Sequence, residues 1–124
     1  MSNNYEQATV QPSFPNAVAE DHGDNLQKIG VKIFFNTPQG GQAYLCVEDG
    51  CYDWDEFHSI LQQMLDDASM KYCYVEGAMY CDKMVPGEFG GFAHFITVDD
   101  VQFINTGSWV MERESEINTG DQKL

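Results

Sequence analysis

Basic side chains are scarce in this sequence. Six lysines and arginines stand against twenty aspartates and glutamates, which gives a formal net charge of −14 and an isoelectric point near 4.2. No lysine or arginine occurs in residues 1–27, and none occurs between Lys32 and Lys71. Duplex DNA carries one negative charge per roughly 1.7 Å of its axis, and the cytoplasmic membrane leaflet is anionic. We therefore expect no direct contact with nucleic acid or with a membrane, and we expect a basic protein as the partner.

Long apolar runs and targeting signals are also missing. No stretch of about eighteen apolar residues occurs, so no segment is expected to span a membrane. The start of the chain lacks a positively charged region followed by an apolar region, which is the pattern of a secretory signal. These absences predict a cytoplasmic protein.

Metal-binding and phosphate-binding motifs are absent. The four cysteines are Cys46, Cys51, Cys73 and Cys81, and the three histidines are His22, His58 and His94. Their spacings do not include the C-x2-C and paired histidine motifs that are typical of zinc sites. The glycines of residues 87–91, GEFGG, match neither a dinucleotide-binding motif nor a P-loop. We expect reduced thiols, no metal and no cofactor.

No set of residues predicts catalysis. A reactive cysteine needs positive charge near it to lower the pKa of its thiol, and this chain has little. His58 lies on the apolar stripe of a predicted helix, and His94 alternates with apolar residues on a predicted strand, so both positions are typical of packed side chains. Neighbouring acids in exposed segments lack the burial that tunes a carboxyl pKa. We expect no enzymatic activity.

The length of 124 residues is typical of one domain. Residues 1–27 are rich in Asn, Gln, Pro and Ser without sustained periodicity, and we predict a flexible arm there. Residues 28–116 are predicted to form a single acidic α+β domain, and residues 117–124 a tail.

Two segments early in the predicted domain have the alternation of strands. The inward apolar residues are Val31, Ile33 and Phe35 in the first segment, and Ala43, Leu45 and Val47 in the second. The intervening residues 37–41, TPQGG, have turn composition, because proline restricts φ and glycine tolerates positive φ. The pattern predicts a β-hairpin.

The clearest element is an amphipathic helix over residues 53–68. Its apolar residues recur at helical spacing: Trp54, Phe57, His58, Leu61, Met64, Leu65 and Ala68. Asp53 is placed to be the N-cap, with Glu56 three residues later as in a capping box.

The second half of the chain is predicted to add further strands, at residues 71–77 and 92–97. Residues 98–106 fit either a strand or a short helix, and residues 108–116 fit a closing helix. An antiparallel sheet with the main amphipathic helix packed on one face buries both apolar surfaces most simply. The predicted fold class is therefore α+β, with the order ββα followed by further strands.

Acidic residues outside the apolar stripe are the candidate site. The predicted partner-binding residues are Asp55, Glu56, Asp66, Asp67, Asp99 and Asp100. Asp55 and Glu56 also suit a helix N-terminus, where the macrodipole favours anions by roughly 0.3–1 kcal/mol each. Asp66 and Asp67 lie at the helix C-terminus, where the dipole disfavours them, so a functional role is the hypothesis for these two. The alternative is that exposed acids only solvate the helix.

The segment from Val31 to Gly77 resembles the small acidic domain of ArdA-type antirestriction proteins. The matching order is VKIFFN, a turn, AYLCVE, a helix beginning DWDEF and then KYCYVEG. This covers about a third of the chain and rests on element order and acidity, without a diagnostic motif or a residue that can be carried over. The resemblance implies a protein that imitates DNA and occupies a restriction enzyme.

The leading functional hypothesis is an inhibitor of a basic nucleic-acid-binding protein or nuclease. It would present carboxylates where DNA phosphates would lie, as anti-defence proteins of phages and mobile elements do. Two alternatives stay open: an immunity protein against one toxin, and a cytosolic adaptor whose acidity is incidental. The sequence does not determine the oligomeric state.

Overall fold

The computed structural model describes residues 4–36, 41–84 and 86–119. The strands in these residues are β1 (Asn4–Gln11), β2 (Phe14–Pro15), β3 (Val31–Asn36), β4 (Gln42–Val47), β5 (Cys73–Cys81), β6 (Gly90–Ile96) and β7 (Val101–Asn105). The helices are α1 (Asn16–Asp21), α2 (Gly23–Lys28), α3 (Trp54–Ala68) and α4 (Thr106–Thr119).

The strands form one antiparallel sheet. Across the sheet the order is β3, β4, β1, β5, β6 and β7, and the short β2 pairs with β4 beyond the end of β1. The predicted α+β class with an antiparallel sheet is confirmed. The predicted hairpin is β3 paired with β4, with Ile33 opposite Leu45.

The prediction of a flexible arm over residues 1–27 was wrong for residues 4–27, and residues 1–3 lie outside the described residues. β1 lies in the middle of the sheet, between β4 and β5, and pairs with β5 over its whole length from Asn4 to Gln11. Phe14 is fully buried, and Ala8 and Val10 belong to the core. β1 is only weakly apolar. Backbone hydrogen bonds to a neighbouring strand on each side hold it in place, so its own side chains do not supply all of the stabilisation.

The hydrophobic core lies between one face of the sheet and the first three helices. The strand residues on that face include Val10, Val31, Leu45, Val75 and Ile96. The helix residues that meet them include Ala19, Leu26, Phe57, Leu61 and Leu65. Packing of the main amphipathic helix on one sheet face is therefore confirmed, and α1 and α2 complete the helical layer that the sequence did not predict.

The main helix, α3, begins and ends as its local sequence dictates. The Asp53 carboxylate accepts a hydrogen bond of 3.0 Å from the Glu56 backbone N–H, which confirms the predicted N-cap. At the other end Ser69 takes the left-handed conformation, with φ at 54°, and its N–H bonds to the Asp66 carbonyl. None of the helices in the described residues has the length and apolarity to cross a membrane.

The region after β6, which the sequence left undecided between strand and helix, contains one of each. Residues 101–105 form the strand β7, and α4 runs from Thr106 to Thr119. The predicted tail over 117–124 was wrong for residues 117–119, which continue α4, and residues 120–124 lie outside the described residues. Residues 37–40 of the predicted turn also lie outside the described residues.

A close approach inside the sheet requires glycine at position 77. Gly77 is paired with Ala8 on β1 and with Phe92 on β6. A Cβ at this position would overlap the Phe92 ring and would lie 2.7 Å from the Gln7 carbonyl oxygen. The absent side chain lets Phe92 lie flat across β5 and reach Trp54 on α3, with ring centroids 5.6 Å apart.

Candidate partner-binding surface

The charged side chains are distributed unequally between the helical layer and the sheet. Eight carboxylates lie on the first three helices or their caps, and all are exposed: Glu20, Asp21, Asp24, Asp53, Asp55, Glu56, Asp66 and Asp67. Lys28 is the one lysine or arginine in the same elements. In the described strands, by contrast, the only acids are Glu6 and Glu76. The outer surface of the helical layer is therefore strongly negative.

At the N-terminus of α3 the acids also stabilise the helix. Asp53 caps it, and Asp55 and Glu56 occupy its first turn, where free backbone N–H groups and the macrodipole favour negative charge. Asp55 and Glu56 remain exposed, so the local structure leaves both carboxylates accessible to a partner.

At the C-terminus of α3 the two neighbouring acids differ. Asp67 Oδ2 lies 2.8 Å from Nε2 of His22, which sits at the junction of α1 and α2. His22 is mostly buried, with 12% of its side chain exposed. Asp67 therefore has a structural contact that the sequence did not predict, and this contact ties α3 to the two short helices. Asp66 is exposed at the same end, where the dipole disfavours an anion.

Asp99 and Asp100 lie in the turn between β6 and β7. The turn is closed by a 2.9 Å hydrogen bond from the Thr97 N–H to the Asp100 carbonyl. The Asp100 carboxylate also accepts a 3.2 Å hydrogen bond from the Gln102 side chain. Both aspartates are exposed.

The structure separates the predicted site residues into two groups. The Gln62 amide on α3 donates a 3.0 Å hydrogen bond to the Thr97 carbonyl, which brings the middle of α3 against the β6–β7 turn. Asp66 follows Gln62 by one helical turn, so it lies at the same end of the molecule as Asp99 and Asp100. Asp55 and Glu56 lie at the other end of α3, about 16 Å away at roughly 1.5 Å of rise per residue.

A cluster of rings joins α3 to β6 beside these acids. Nε2 of His58 lies 2.9 Å from Nδ1 of His94, and Trp54 packs edge-on against His94. Burial lowers the pKa of His94 to about 4, with a smaller contribution from His58, and burial also lowers the pKa of His58 against the opposing effect of Asp55. One ring donates and the other accepts in this hydrogen bond, and both rings pack at the edge of the core.

Three of the four thiols, those of Cys46, Cys51 and Cys73, have environments that suppress reactivity. Burial raises the pKa of Cys73 to about 12 and raises the pKa of Cys51 and of Cys46 as well. A thiol with a raised pKa is protonated at neutral pH and is a poor nucleophile. Within residues 4–36, 41–84 and 86–119, no group of three or more His, Cys, Asp or Glu side chains is arranged to hold a metal ion.

Comparisons of the chain with protein-family models, with curated proteins and with solved structures find no match. The resemblance to ArdA-type proteins therefore stays a prediction.

The face of the sheet opposite the helical layer was missed by the sequence analysis. It carries aromatic and amide side chains, with Tyr5 stacked on Tyr80 at 5.0 Å and the Tyr80 hydroxyl bonded to Gln7. Among its strand residues the only charges are Lys32 and Glu76. The sequence does contain a signal for this face. In each strand the polar residues that alternate with apolar ones must point away from the core. This face contrasts with the acidic helical layer behind it.

Proposed function

We propose that this protein binds a basic protein through the outer surface of its helical layer. The observation that carries the proposal is the concentration of carboxylates on one layer of the fold: eight exposed acids and a single lysine lie on the first three helices and their caps, against two acids in the described strands. Acidity that served solubility alone would gain nothing from leaving the sheet face nearly uncharged. A one-sided field instead orients and accelerates the approach of an oppositely charged partner.

The partner that we propose is a protein that ordinarily binds nucleic acid. The acids at the two ends of α3 are about 16 Å apart, and duplex DNA carries roughly ten charges over that length. Eight carboxylates on the helical layer approach that density. A cationic groove that accepts DNA would therefore accept this surface and be blocked by it, which makes the protein an inhibitor that competes with DNA.

Asp55, Glu56 and Asp66 are the residues most directly available for this role. All three are exposed, and none of them is paired with a lysine or arginine in the described residues. Asp67 contributes charge while it also holds His22. Asp99 and Asp100 lie nearer to the edge of the sheet and are the outermost part of the surface.

The test is competition with DNA. Proteins captured from a nuclease-treated lysate on the immobilised chain are identified, purified and titrated with the chain in about 50 mM and about 300 mM salt, with duplex DNA as competitor. The proposal predicts a DNA-binding or nuclease protein that duplex displaces, with affinity that falls as salt rises because exposed charges are screened. A captured protein that is indifferent to both duplex and salt would contradict it.

Charge-reversal variants then locate the surface. The double variant Asp55→Lys/Asp66→Lys is compared with Glu76→Lys/Glu114→Lys, which changes the net charge equally but alters exposed residues outside the helical layer. The first pair should weaken binding by about tenfold or more per residue, and the second by much less, since only close charge pairs contribute strongly. Equal losses from both pairs would show that total charge, and not this surface, is what the partner detects.

A further inference from the structure

The edge strand β7 is unprotected. It pairs with β6 on one side, and none of the other strands in the described residues pairs with its second side. Its sequence, VQFIN, contains no charged residue and no proline, which are the usual means of keeping an edge strand from pairing with another chain. Phe103 and Ile104 are exposed at 66% and 73%.

The helix α4 extends this apolar edge. It contacts β6 and β7 through its N-terminal end, where the Thr106 hydroxyl accepts a hydrogen bond from the Gly91 N–H, and none of its described side chains is buried. Trp109, Val110 and Ile117 fall within about 100° of one another around the helix and are all exposed. The Arg113 guanidinium lies over the Trp109 ring, 5.1 Å from its centroid, but the stripe stays exposed. An exposed apolar stripe on a helix is typical of an interface.

We propose that a second copy of this chain pairs with the first along β7, antiparallel and related by a twofold axis at Phe103. In an antiparallel pair, two residues directly opposite each other point to the same side of the sheet, and along one strand only residues an even number apart do so. A twofold axis between two identical strands must therefore pass beside one residue that pairs with its own copy. Phe103 is the middle residue of β7, and its ring already contacts His94 on the helical side, 5.9 Å between centroids. The two sheets then join into one continuous sheet.

This register makes the edge self-complementary. Within β7, residues whose numbers sum to 206 lie opposite each other, so Val101 faces Asn105 of the second copy, Gln102 faces Ile104 and Phe103 faces its own copy. No charged side chain takes part in these pairs.

An apolar contact lies beyond each end of the paired strands. Val98, exposed at 44%, lies in the turn before β7, and the twofold axis brings this turn toward the start of α4 in the second copy. In each copy Ser108 and Trp109 help to line a groove between β7 and α4, together with Phe103 and Ile104. Val98 of one copy fits the groove of the other, and the twofold axis makes this contact twice.

The uncharged edge permits a second copy to approach, and the exposed apolar area suits a dimer interface. Two chains of net charge −14 repel wherever their acidic surfaces meet, but the uncharged β7 allows approach without placing carboxylates opposite one another. Phe103, Ile104, Trp109, Val110 and Ile117 together expose roughly 500 Å² of mostly apolar surface. The turn and the strand backbone raise this toward the roughly 800 Å² per partner of a standard interface.

The oligomeric state of the full chain tests the proposal. Sedimentation equilibrium over a concentration series should give a dimer, and Phe103→Glu should raise the dimer dissociation constant by about 100-fold or more, since it places two carboxylates face to face in an apolar interface. The matched control is Phe34→Glu, which alters an exposed phenylalanine on the opposite edge strand, β3. Ile104→Lys, which alters the other face of β7, is the second variant should Phe103→Glu lower the melting temperature.

Cross-linking tests the register and salt tests the charge argument. Phe103→Cys should form an intermolecular disulfide under mild oxidation, because residues on the twofold axis bring their Cβ atoms to about 4.5–5.5 Å, and Phe34→Cys should not. Dimer affinity should rise with salt as repulsion between the copies is screened, opposite to the complex with the basic partner. A monomer across the concentration range, or a dimer broken by Phe34→Glu and not by Phe103→Glu, would overturn the proposal.

Discussion

The imidazole of His58 on α3 and that of His94 on β6 meet through a 2.9 Å contact between Nε2 and Nδ1. The rings of Trp54 and Phe103 close around His94 from either side. This contact, together with the bond from Gln62 to Thr97, aligns the main helix along the strand next to the exposed edge. It therefore positions both the acidic helical surface and β7.

Acid should weaken the fold through this pair. The pKa of His94 is about 4 in the native protein against about 6.5 when the chain is unfolded, so the unfolded state binds the proton first as pH falls. Stability is present in full above about pH 6.5 and declines toward pH 4. Because the site is half open to solvent, the loss from His94 is about 1–2 kcal/mol.

The measurement is urea unfolding at about pH 7 and about pH 5 for the native chain and for His94→Phe. The variant keeps a ring in the cluster but cannot be protonated, so its free energy of unfolding should change less between the two pH values. The carboxylates titrate in both proteins, and the comparison cancels their contribution. An unchanged pH dependence in His94→Phe would show that this contact does not govern acid stability.

Asp66 and Asp67 should respond oppositely to the same substitution. Asp66→Lys exchanges an unfavourable anion for a favourable cation at the helix C-terminus and should raise the free energy of unfolding by about 0.5 kcal/mol. Asp67→Lys removes the partner of His22 and places a cation beside it, which should lower stability by about 0.5–1 kcal/mol. Chemical denaturation of both variants, with His22→Ala completing a double-mutant cycle, measures the difference. Equal effects would mean that the His22 contact contributes nothing.

Phe14 should be among the costliest residues to truncate, although it lies in the segment whose composition suggested an arm. It is fully buried beside β4, so Phe14→Ala should cost about 3–5 kcal/mol of unfolding free energy. Phe34→Ala is the matched control, since Phe34 is 52% exposed and its truncation should cost under about 1 kcal/mol. Denaturation midpoints that are the same for the two variants would contradict the burial of the N-terminal segment.

Gly77→Ala should destabilise the sheet by about 3 kcal/mol, because the added Cβ meets both the Phe92 ring and the Gln7 backbone. Relaxation is blocked on the backbone side, where the strand ladder fixes β1. Gly23→Ala is the control: its Cβ would meet only Ile33 Cδ1 at 3.6 Å, at the start of α2, where alanine is expected to be neutral or slightly stabilising. Melting temperatures measured under one buffer condition compare the two.

Thiol labelling should distinguish the cysteines. Cys46 and Cys51 are partly exposed and should react slowly at neutral pH, because burial raises the pKa of both. Cys73 is fully buried, with its pKa raised to about 12, and should react only on unfolding. Mass spectrometry of chains labelled before and after denaturant addition gives the order, and rapid labelling of Cys73 in the native chain would contradict the packing of β5.

Several elements were predictable because their signals are local. The stripe from Trp54 to Ala68 and the cap at Asp53 specify α3 within the reach of a few helical turns, and the alternation around Ile33 and Leu45 specifies a hairpin between neighbouring segments. Exposure of the six predicted acids also follows from their positions outside the apolar stripe or in a turn. Exposure alone does not predict which of these acids bind a partner.

The sequence by itself determined the α+β class, the main helix, the hairpin and the large negative charge. Tertiary structure decided that residues 4–11 form a central strand, because their partners on β5 lie some seventy residues later and no local period encodes that pairing. It also decided that Asp67 meets His22 across 45 residues, and that the acids gather on the helical layer while β7 stays uncharged at the edge. Such facts depend on which distant segments become neighbours, and burial of one common core selects those neighbours.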